Sequence, residues 1–346
     1  MNFSYDIAAS YRDNFDQGPR LESPPELPHP APVEFLGQMV NSRIGIAAGL
    51  LPNFKWISGY AARGWDLLTY KTVRSVAREC YPVPNWVFVD ADVGEGPVYA
   101  TDNLPDNPSA ISSAVCFGMP SMEPSFWRED IARAKESLAE GQQLIVSVVA
   151  SPEADWSTAQ VADDYAQCAA WAAQAGADIV EANYSCPNVC SAEGQVYMDV
   201  DLAQSVAQTV RSGIGDSRLL LKIGVFPDTD LQRSFLRAVA DAADGITLVN
   251  GISREVLHRD GRPVFGEDYV KAGVLGRIIH EPCVAAVRDA KAAIEAEGLN
   301  LALAAVGGVS SVADYQDFIE AGADAVLCGS SPMYLPDLAA EIKASL

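Results

Sequence analysis

Eight short apolar runs recur along the chain, several of them ending in glycine, asparagine or serine. Apolar and polar residues alternate little within a run, which is typical of strands that are buried on both faces. Each run is also flanked by turn residues. The pattern predicts strands at residues 44–49, 67–73, 144–151, 178–185, 219–224, 245–251, 301–308 and 325–331.

Longer amphipathic stretches lie between these runs and predict helices. In residues 158–175, alanine, tryptophan and tyrosine recur at helical spacing before a glycine that ends the pattern. Comparable patterns predict further helices at residues 55–63, 125–141, 200–212, 229–243, 280–297, 311–321 and 334–345.

Strands that alternate with helices predict a single (β/α)8 TIM barrel. An open doubly wound sheet is the rival arrangement, and the count of eight strands favours the barrel. Residues 1–35 are rich in proline and predict an extended arm with little regular structure, which leaves residues 36–346 for the barrel. A barrel needs about 250 residues. We expect the surplus in this arm and in the connections 74–124 and 252–279, which would form long loops over the C-terminal face of the strands.

The charge of the chain argues against several classes of partner. The 346 residues carry a formal net charge of -22, whereas nucleic acids and anionic membranes bind basic patches. No stretch approaches the ~20 apolar residues of a membrane-spanning helix, and residues 1–17 lack the apolar region of a signal peptide. Seven scattered cysteines do not indicate a disulfide framework. We therefore expect a cytoplasmic protein that binds neither nucleic acid nor membranes.

The last two predicted strands end in glycine loops that suit an anion. Gly307 and Gly308 follow the seventh strand, and Gly329 and Ser330 follow the eighth. Glycines let backbone N–H groups approach a phosphate closely, and these two loops are the recurrent phosphate site of TIM barrels. An ordinary glycine turn would explain either loop alone, but the two loops together favour a phosphate group.

Two lysines lie at the ends of other apolar runs. Lys71 lies two residues before the end of the second run, and Lys222 two residues before the end of the fifth. A lysine near a buried strand end needs a partner, and each could reach the surface or pair with a carboxylate. Two such lysines near a predicted phosphate site favour contacts to a cofactor or to an anionic substrate.

The segment EANYSCPN (181–188) is the most specific feature of the chain. A strand runs into Asn183, and the loop that follows places Cys186 between two amides, Asn183 and Asn188. Asparagine can both donate and accept hydrogen bonds, which suits the edge of an amide or imide. A thiol can act as an acid or base if its pKa is tuned.

The cysteines of the chain also allow other roles. Cys190 leaves open a cysteine pair that binds a metal or forms a redox couple, but no matching Cys/His group exists elsewhere, and the three histidines show no ligand spacing. We therefore expect no metal site. Three further cysteines are interpreted as small buried apolar residues: Cys168, Cys283 and Cys328.

At these residues the sequence resembles the dihydroorotate dehydrogenase family of flavoproteins, over about residues 36–346. The strongest element is NxSCPN, from Asn183 to Asn188. Dihydropyrimidine dehydrogenases contain a similar domain. The order and spacing of weaker elements along one barrel support the resemblance: AAG (47–49), YKTV (70–73), FGMPSM (117–122), KIG (222–224), VNG (249–251), a GVLG turn (273–276), VGGV (306–309) and GSS (329–331).

The resemblance implies an FMN-dependent oxidoreductase of pyrimidine biosynthesis that oxidises dihydroorotate, or a related cyclic dihydropyrimidine or amide, to orotate. It implies that Cys186 removes the C5 proton while a hydride passes from C6 to flavin N5. Cysteine at this position marks the soluble class of the family, whose members are usually homodimers, whereas the membrane-associated class has serine there.

The resemblance also implies two sets of binding residues. The substrate site would contain Lys71, Met119, Asn183, Asn188 and Asn250. The FMN site would contain Ala48, Gly49, Lys71, Thr72, Asn183, Lys222, Asn250, Gly276, Gly307, Gly308, Gly329 and Ser330.

Two positions depart from the family pattern and keep alternatives open. Val115 stands where the family usually has a substrate-binding asparagine, and Gly251 where it has serine or threonine. A site built to hydrogen-bond its ligand loses about 1–3 kcal/mol for each buried group left unpaired. One alternative is an FMN-binding barrel of altered specificity, such as a flavin reductase or a non-catalytic paralogue. Another is an aldolase that uses Lys71 or Lys222 as a Schiff-base amine. Oxidation of a cyclic amide is favoured.

Overall fold

The computed structural model describes residues 2–90, 96–185 and 195–346. The strands in these ranges are β1 (Val33–Phe35), β2 (Gln38–Val40), β3 (Ile44–Ile46), β4 (Leu67–Val73), β5 (Trp86–Asp90), β6 (Val98–Ala100), β7 (Ser112–Val115), β8 (Gln143–Val148), β9 (Ile179–Asn183), β10 (Arg218–Ile223), β11 (Gly245–Leu248), β12 (Ile252–Leu257), β13 (Lys271–Gly276), β14 (Ala302–Val306) and β15 (Ala325–Cys328).

The α-helices connect the barrel strands, apart from the first, which precedes them, and the last, which follows β15. None of those in the described ranges combines the length and the apolar character needed to cross a bilayer. They are α1 (Tyr11–Gln17), α2 (Phe54–Ala61), α3 (Pro124–Glu136), α4 (Thr158–Gln174), α5 (Val200–Gly213), α6 (Thr229–Val239), α7 (His280–Ala296), α8 (Val312–Glu320) and α9 (Leu338–Lys343).

The predicted (β/α)8 barrel is confirmed. Eight parallel strands close on one another in the order β3-β4-β8-β9-β10-β11-β14-β15, and each corresponds to one of the apolar runs. Because parallel strands all point the same way, their C-terminal ends meet at one face of the barrel. The sequence motifs at those ends are thereby brought together.

The barrel interior changes from apolar to polar along the strands. Side chains on a strand alternate between two faces, so every second residue points inward. Leu67 and Ile179, each the first residue of its strand, belong to one apolar cluster with Phe35 and Val40 of the β1–β2 hairpin. Further along β9, the inward face carries the fully buried Glu181. The C-terminal ends of the strands are therefore the polar part of the interior.

The two long connections contain a second sheet, where the sequence predicted loops. Strands β5, β6 and β7 come from the first connection and β12 and β13 from the second; they form a closed five-stranded sheet. Val115 pairs with Gly273 across the antiparallel β7–β13 ladder. Residues 273–276, interpreted above as a turn, are therefore the end of β13. The strands are only three to six residues long, too short for a clear periodic pattern.

The N-terminal arm contains a helix that the sequence analysis did not predict. The Ser10 hydroxyl accepts a hydrogen bond from the Asp13 N–H at 3.0 Å, and the Asp13 carboxylate accepts one from the Ser10 N–H at 3.3 Å. Seven residues form no stable helix in isolation. Tertiary contacts supply the remaining stabilisation of this helix, since Phe15 is buried and the Trp56 indole donates a hydrogen bond to the Asn14 carbonyl oxygen at 3.3 Å. The domain boundary at residue 35 stays a prediction.

Candidate active site

A pocket lies at the C-terminal ends of the barrel strands, where the second sheet meets the barrel. Cys186 and Asn188, together with Cys190, lie outside the described residues, so their predicted roles stay predictions. All the other predicted site residues line this pocket: Ala48, Gly49, Lys71, Thr72, Met119, Asn183, Lys222, Asn250, Gly276, Gly307, Gly308, Gly329 and Ser330.

Two amide side chains meet at the ends of β9 and β11. Asn250 Nδ2 donates to Asn183 Oδ1 at 3.3 Å and also to the carbonyl oxygen of Ser185. Asn183 Oδ1 also accepts a hydrogen bond from the Ser185 N–H at 3.2 Å. The Gly251 N–H donates to Asn250 Oδ1 at 3.0 Å. These bonds orient both amides and hold Ser185, the residue that precedes Cys186.

The backbone at Met119 has a left-handed conformation that residues other than glycine rarely adopt. Its φ is 52°, and that of Gly118 is 72°. The buried Arg74 guanidinium donates to the Met119 carbonyl oxygen at 3.1 Å, and the Arg74 N–H donates to Ser121 Oγ at 3.1 Å. Asn183 Nδ2 donates to the Met119 sulfur at 3.7 Å. Such backbone strain costs about 1–3 kcal/mol and is concentrated at ligand sites.

Lys71 lies against aromatic rings from two other parts of the chain. Its Nζ is 4.8 Å from the ring centroid of Phe117 and 5.8 Å from that of Tyr11. The faces of aromatic rings attract a cation. Burial raises the pKa of Tyr11 well above its usual value, so this hydroxyl stays neutral at physiological pH. The arm that contains Tyr11 thus contributes to the surroundings of a predicted substrate residue.

Lys222 lies near a carboxylate that the sequence analysis did not single out. Its Nζ is 4.0 Å from Glu181 Oε1, and the two side chains are 3% and 0% exposed. They stand on the neighbouring strands β10 and β9, whose register pairs Lys222 with Asn183. The signal in the sequence that could have identified Glu181 is its position as a charged residue within an apolar run. Since Glu181 precedes Asn183 by two positions, the two share a face of the strand.

The glycine loops after β14 and β15 lie side by side, because these strands are neighbours in the barrel. Gly308 has a φ of 67°, and a Cβ atom there would lie 2.5 Å from the Gly276 carbonyl oxygen. A Cβ atom on Gly329 would meet no atom within 4 Å. The first loop runs into α8, whose N-cap Ser311 accepts a hydrogen bond from the Asp314 N–H at 3.2 Å. Backbone N–H groups at a helix N-terminus suit an anion.

His280 packs behind the first glycine loop. Its Nδ1 lies 3.0 Å from the Gly307 carbonyl oxygen, and its Nε2 lies 2.9 Å from the Asp317 carboxylate. Arg277 donates to Asp314 at 2.7 Å. The donor atoms of His280, Asp314 and Asp317 lie within 4.8 Å of one another. Spacing along the sequence could not reveal this cluster, because α7 and α8 bring its members together only in the fold.

The cysteines interpreted as small apolar residues have that character. Cys168, Cys283 and Cys328 are buried, and all cysteines in the described ranges are free. Burial raises the pKa of the Cys283 thiol to about 12 and that of the Cys328 thiol to about 12. It raises the pKa of the Cys168 thiol as well. These thiols are therefore protonated at neutral pH.

The two positions that depart from the family pattern both line the pocket. Val115 comes from β7 of the second sheet, and Gly251 follows β11. A Cβ atom on Gly251 would lie 3.0 Å from Leu275 Cδ2, so Leu275 occupies the space that a side chain would need. Residues that the sequence analysis missed extend this apolar lining: Trp86, Leu275, Ile279 and Tyr334.

Comparisons with known proteins identify the family to which the sequence is similar. A sequence profile of the dihydroorotate dehydrogenase family matches residues 125–346. A dihydroorotate dehydrogenase of Dictyostelium discoideum is 31% identical over 354 aligned positions, covering 97% of this chain and 95% of that protein. The catalytic subunit of a dihydroorotate dehydrogenase B (NAD(+)) from Solidesulfovibrio magneticus is 31% identical over 190 positions, covering 54% of this chain and 58% of that protein.

The fold has a counterpart among solved structures. The crystal structure of the Eimeria tenella enzyme DHODH in complex with ferulenol superimposes with a TM-score of 0.75. The match covers 94% of this chain and 86% of that chain, at 17% sequence identity. At this identity the match shows the fold alone.

Proposed function

The chain belongs to the dihydroorotate dehydrogenase family, and we propose that it is an FMN-dependent enzyme that oxidises dihydroorotate to orotate. The observation that carries the proposal is the convergence of the predicted residues. Every one of them in the described ranges lines one pocket at the C-terminal face of the barrel, although they come from separate strands and connections.

The chemistry of the pocket fits FMN. Gly307, Gly308 and Gly329 offer a phosphate close approach to backbone N–H groups, and a Cβ atom on Gly329 would fill part of that space. At the opposite side, Lys222 and Asn183 offer donors to the polar edge of a flavin ring. The flavin supplies an acceptor for a hydride. No dinucleotide site is needed for this step.

The protein residues would bind and orient the substrate and move one proton. Asn250 and Asn183 present amides to a cyclic amide, and Lys71 presents an ammonium group to a carboxylate. Cys186 would remove the proton from C5. Ser185, the last described residue before Cys186, is buried and is bonded by both asparagines of the pocket.

Two measurements test the proposal. Mass spectrometry of the cofactor released by heat is expected to identify FMN; FAD, or no flavin after reconstitution with FMN, would contradict the phosphate site. Anaerobic addition of dihydroorotate is expected to bleach the flavin absorbance, because the oxidised ring loses its visible band on reduction. A panel of related cyclic dihydropyrimidines and amides serves as the comparison.

A second candidate is a flavoprotein of the same fold with a different substrate. Val115 and Leu275 give the pocket an apolar wall, which suits a less polar ligand than dihydroorotate. This candidate is favoured if dihydroorotate leaves the flavin oxidised while another member of the panel bleaches it. If none bleaches it, the chain is a flavin-binding paralogue without this activity.

We also propose a cytoplasmic homodimer. Free cysteines in the described ranges agree with a reducing compartment, and the net charge of -22 agrees with a protein that avoids anionic surfaces. Light scattering after size exclusion is expected to give twice the mass of the chain. Co-sedimentation with anionic vesicles at physiological salt would contradict the proposed location.

A further inference from the structure

We propose that Glu181 is a positioning residue that holds the Lys222 ammonium at the floor of the pocket and offsets its charge, and thereby sets how strongly bound FMN attracts electrons. The proposal rests on FMN binding in this pocket. Glu181 itself is absent from the pocket lining, whereas Lys222 is part of it.

The contacts of Glu181 are unusual for a carboxylate. It is fully buried, and neither of its oxygens accepts a hydrogen bond from any residue that the structure describes. A charge removed from water costs free energy unless a partner compensates it. Among the described residues, the cation within ion-pair distance is Lys222, at 4.0 Å. This distance is too long for a hydrogen bond, so the pair interacts through charge.

The order of the two groups follows from the strand register. Lys222 is level with Asn183, and Glu181 precedes Asn183 by two residues. At about 3.3 Å per residue, the Cα atom of Glu181 lies roughly 6.6 Å further into the barrel. Lys222 therefore stands between the buried carboxylate and the pocket. Its charge acts on anything bound there, and the charge of Glu181 reduces that effect.

The consequence concerns the reduction of bound FMN. Uptake of two electrons and one proton adds one negative charge to the flavin, so a nearby cation favours the reduced form. Replacing Glu181 by glutamine keeps the shape of the side chain and removes its charge. The ammonium of Lys222 is then uncompensated. We expect the reduced form to become more favourable in Glu181→Gln than in the wild type.

The primary experiment measures the midpoint potential of the holoenzyme by slow reduction with xanthine and xanthine oxidase beside a reference dye. In Glu181→Gln, the equilibrium constant for two-electron reduction is expected to rise at least tenfold, a shift of about +30 mV. The dissociation constant for sulfite, whose adduct also places negative charge on the ring, is expected to fall at least tenfold. Neither measurement uses dihydroorotate.

A matched control stands on the other side of Lys222. Thr247 pairs with Lys222 in the β10–β11 register, is fully buried, and has a hydroxyl without a hydrogen-bond partner among the described residues. Thr247→Val removes a polar atom from the same part of the barrel without changing charge. Both constants are expected to stay within twofold of the wild type. Equal shifts in Thr247→Val and Glu181→Gln would overturn the proposal.

Double variants separate an effect through Lys222 from a direct one. In a Lys222→Met background, Glu181→Gln is expected to change the potential by less than half as much as in the wild type. An undiminished shift would show that the carboxylate acts without Lys222. If Glu181→Gln does not retain FMN, Glu181→Asp replaces it, with a smaller shift of the same sign. Failure of both variants to bind FMN would assign Glu181 a structural role and overturn the proposal.

The outcome is independent of the substrate. If dihydroorotate does not bleach the wild-type flavin, the proposed reaction fails but the potential and sulfite measurements still decide the role of Glu181. If the wild type binds no FMN, the proposed function and the proposed role of Glu181 are both overturned.

Discussion

Gly329→Ala separates the role of a glycine in the fold from its role in ligand binding. A methyl group at this position would meet no protein atom within 4 Å, and the φ of Gly329 lies outside the left-handed region. Alanine at a compatible site reduces the freedom of the unfolded chain and stabilises a protein by about 0.4–1 kcal/mol. The free energy of unfolding of the apoprotein should therefore stay the same or rise slightly.

The expected effect on FMN binding has the opposite sign. If the phosphate lies against the Gly329 backbone, the methyl group displaces it from a charge-assisted hydrogen bond worth about 1.5–3 kcal/mol. At about 1.4 kcal/mol per factor of ten, the dissociation constant should rise by roughly 10-fold to 150-fold. Titration by quenching of free FMN fluorescence measures this constant, and urea denaturation of the apoprotein measures the stability.

Gly308→Ala is the comparison variant. Gly308 has a φ of 67°, and its Cβ atom would lie 2.5 Å from the Gly276 carbonyl oxygen. A left-handed conformation costs a residue with a side chain about 1–2 kcal/mol, and the backbone contact adds to this cost. This variant should lose stability as well as FMN affinity. The reasoning is refuted if Gly329→Ala binds FMN within twofold of the wild type, because the phosphate then lies elsewhere.

Three further predictions concern the proposed base, the glycine loop and the fold. Cys186→Ala should retain FMN but slow flavin reduction by substrate about 10²–10⁴-fold; a stopped-flow rate within threefold of the wild type would contradict this role. His280→Leu removes the ring nitrogen beside the Gly307 carbonyl oxygen. The loss of one hydrogen bond of about 0.5–1.5 kcal/mol should lower the FMN affinity a few-fold. An unchanged dissociation constant in the FMN titration would contradict this role of His280. Lys343→Met removes the cation 2.6 Å from the buried Asp66. The free energy of unfolding, measured by urea denaturation, should fall by about 3–5 kcal/mol. A fall of less than about 1 kcal/mol would show that the ion pair is dispensable.

The barrel and the place of its site could be predicted from local sequence. A strand buried on both faces reads as an apolar run, and a helix that packs on the barrel reads as an amphipathic stretch, so both leave a pattern within a few neighbouring residues. Residues such as Lys71, Asn183 and Lys222 lie near the C-terminal ends of these runs. Once the strands are parallel, their C-terminal ends must meet, and the residues converge without further information.

The second sheet and the short helix of the arm were decided by tertiary structure. Val115 and Gly273 pair across strands from two distant connections, and neither strand carries a pattern that identifies its partner. Helix α1 is too short to be stable alone and depends on contacts of Phe15 and Asn14 with the barrel. In both cases the stabilising free energy comes from residues far away in the chain.

Charge pairs within the site also required the fold. Asn183 belongs to a recognisable motif, but the partner of Lys222 is Glu181 on a different strand, and the carboxylate partners of His280 lie on α8. The distances between such groups depend on strand register and on helix packing. The sequence by itself determined the barrel strands, the helices between them and the residues near the strand ends, whereas the tertiary structure decided which charged and polar groups face each other, because electrostatic partners are selected by distance in space.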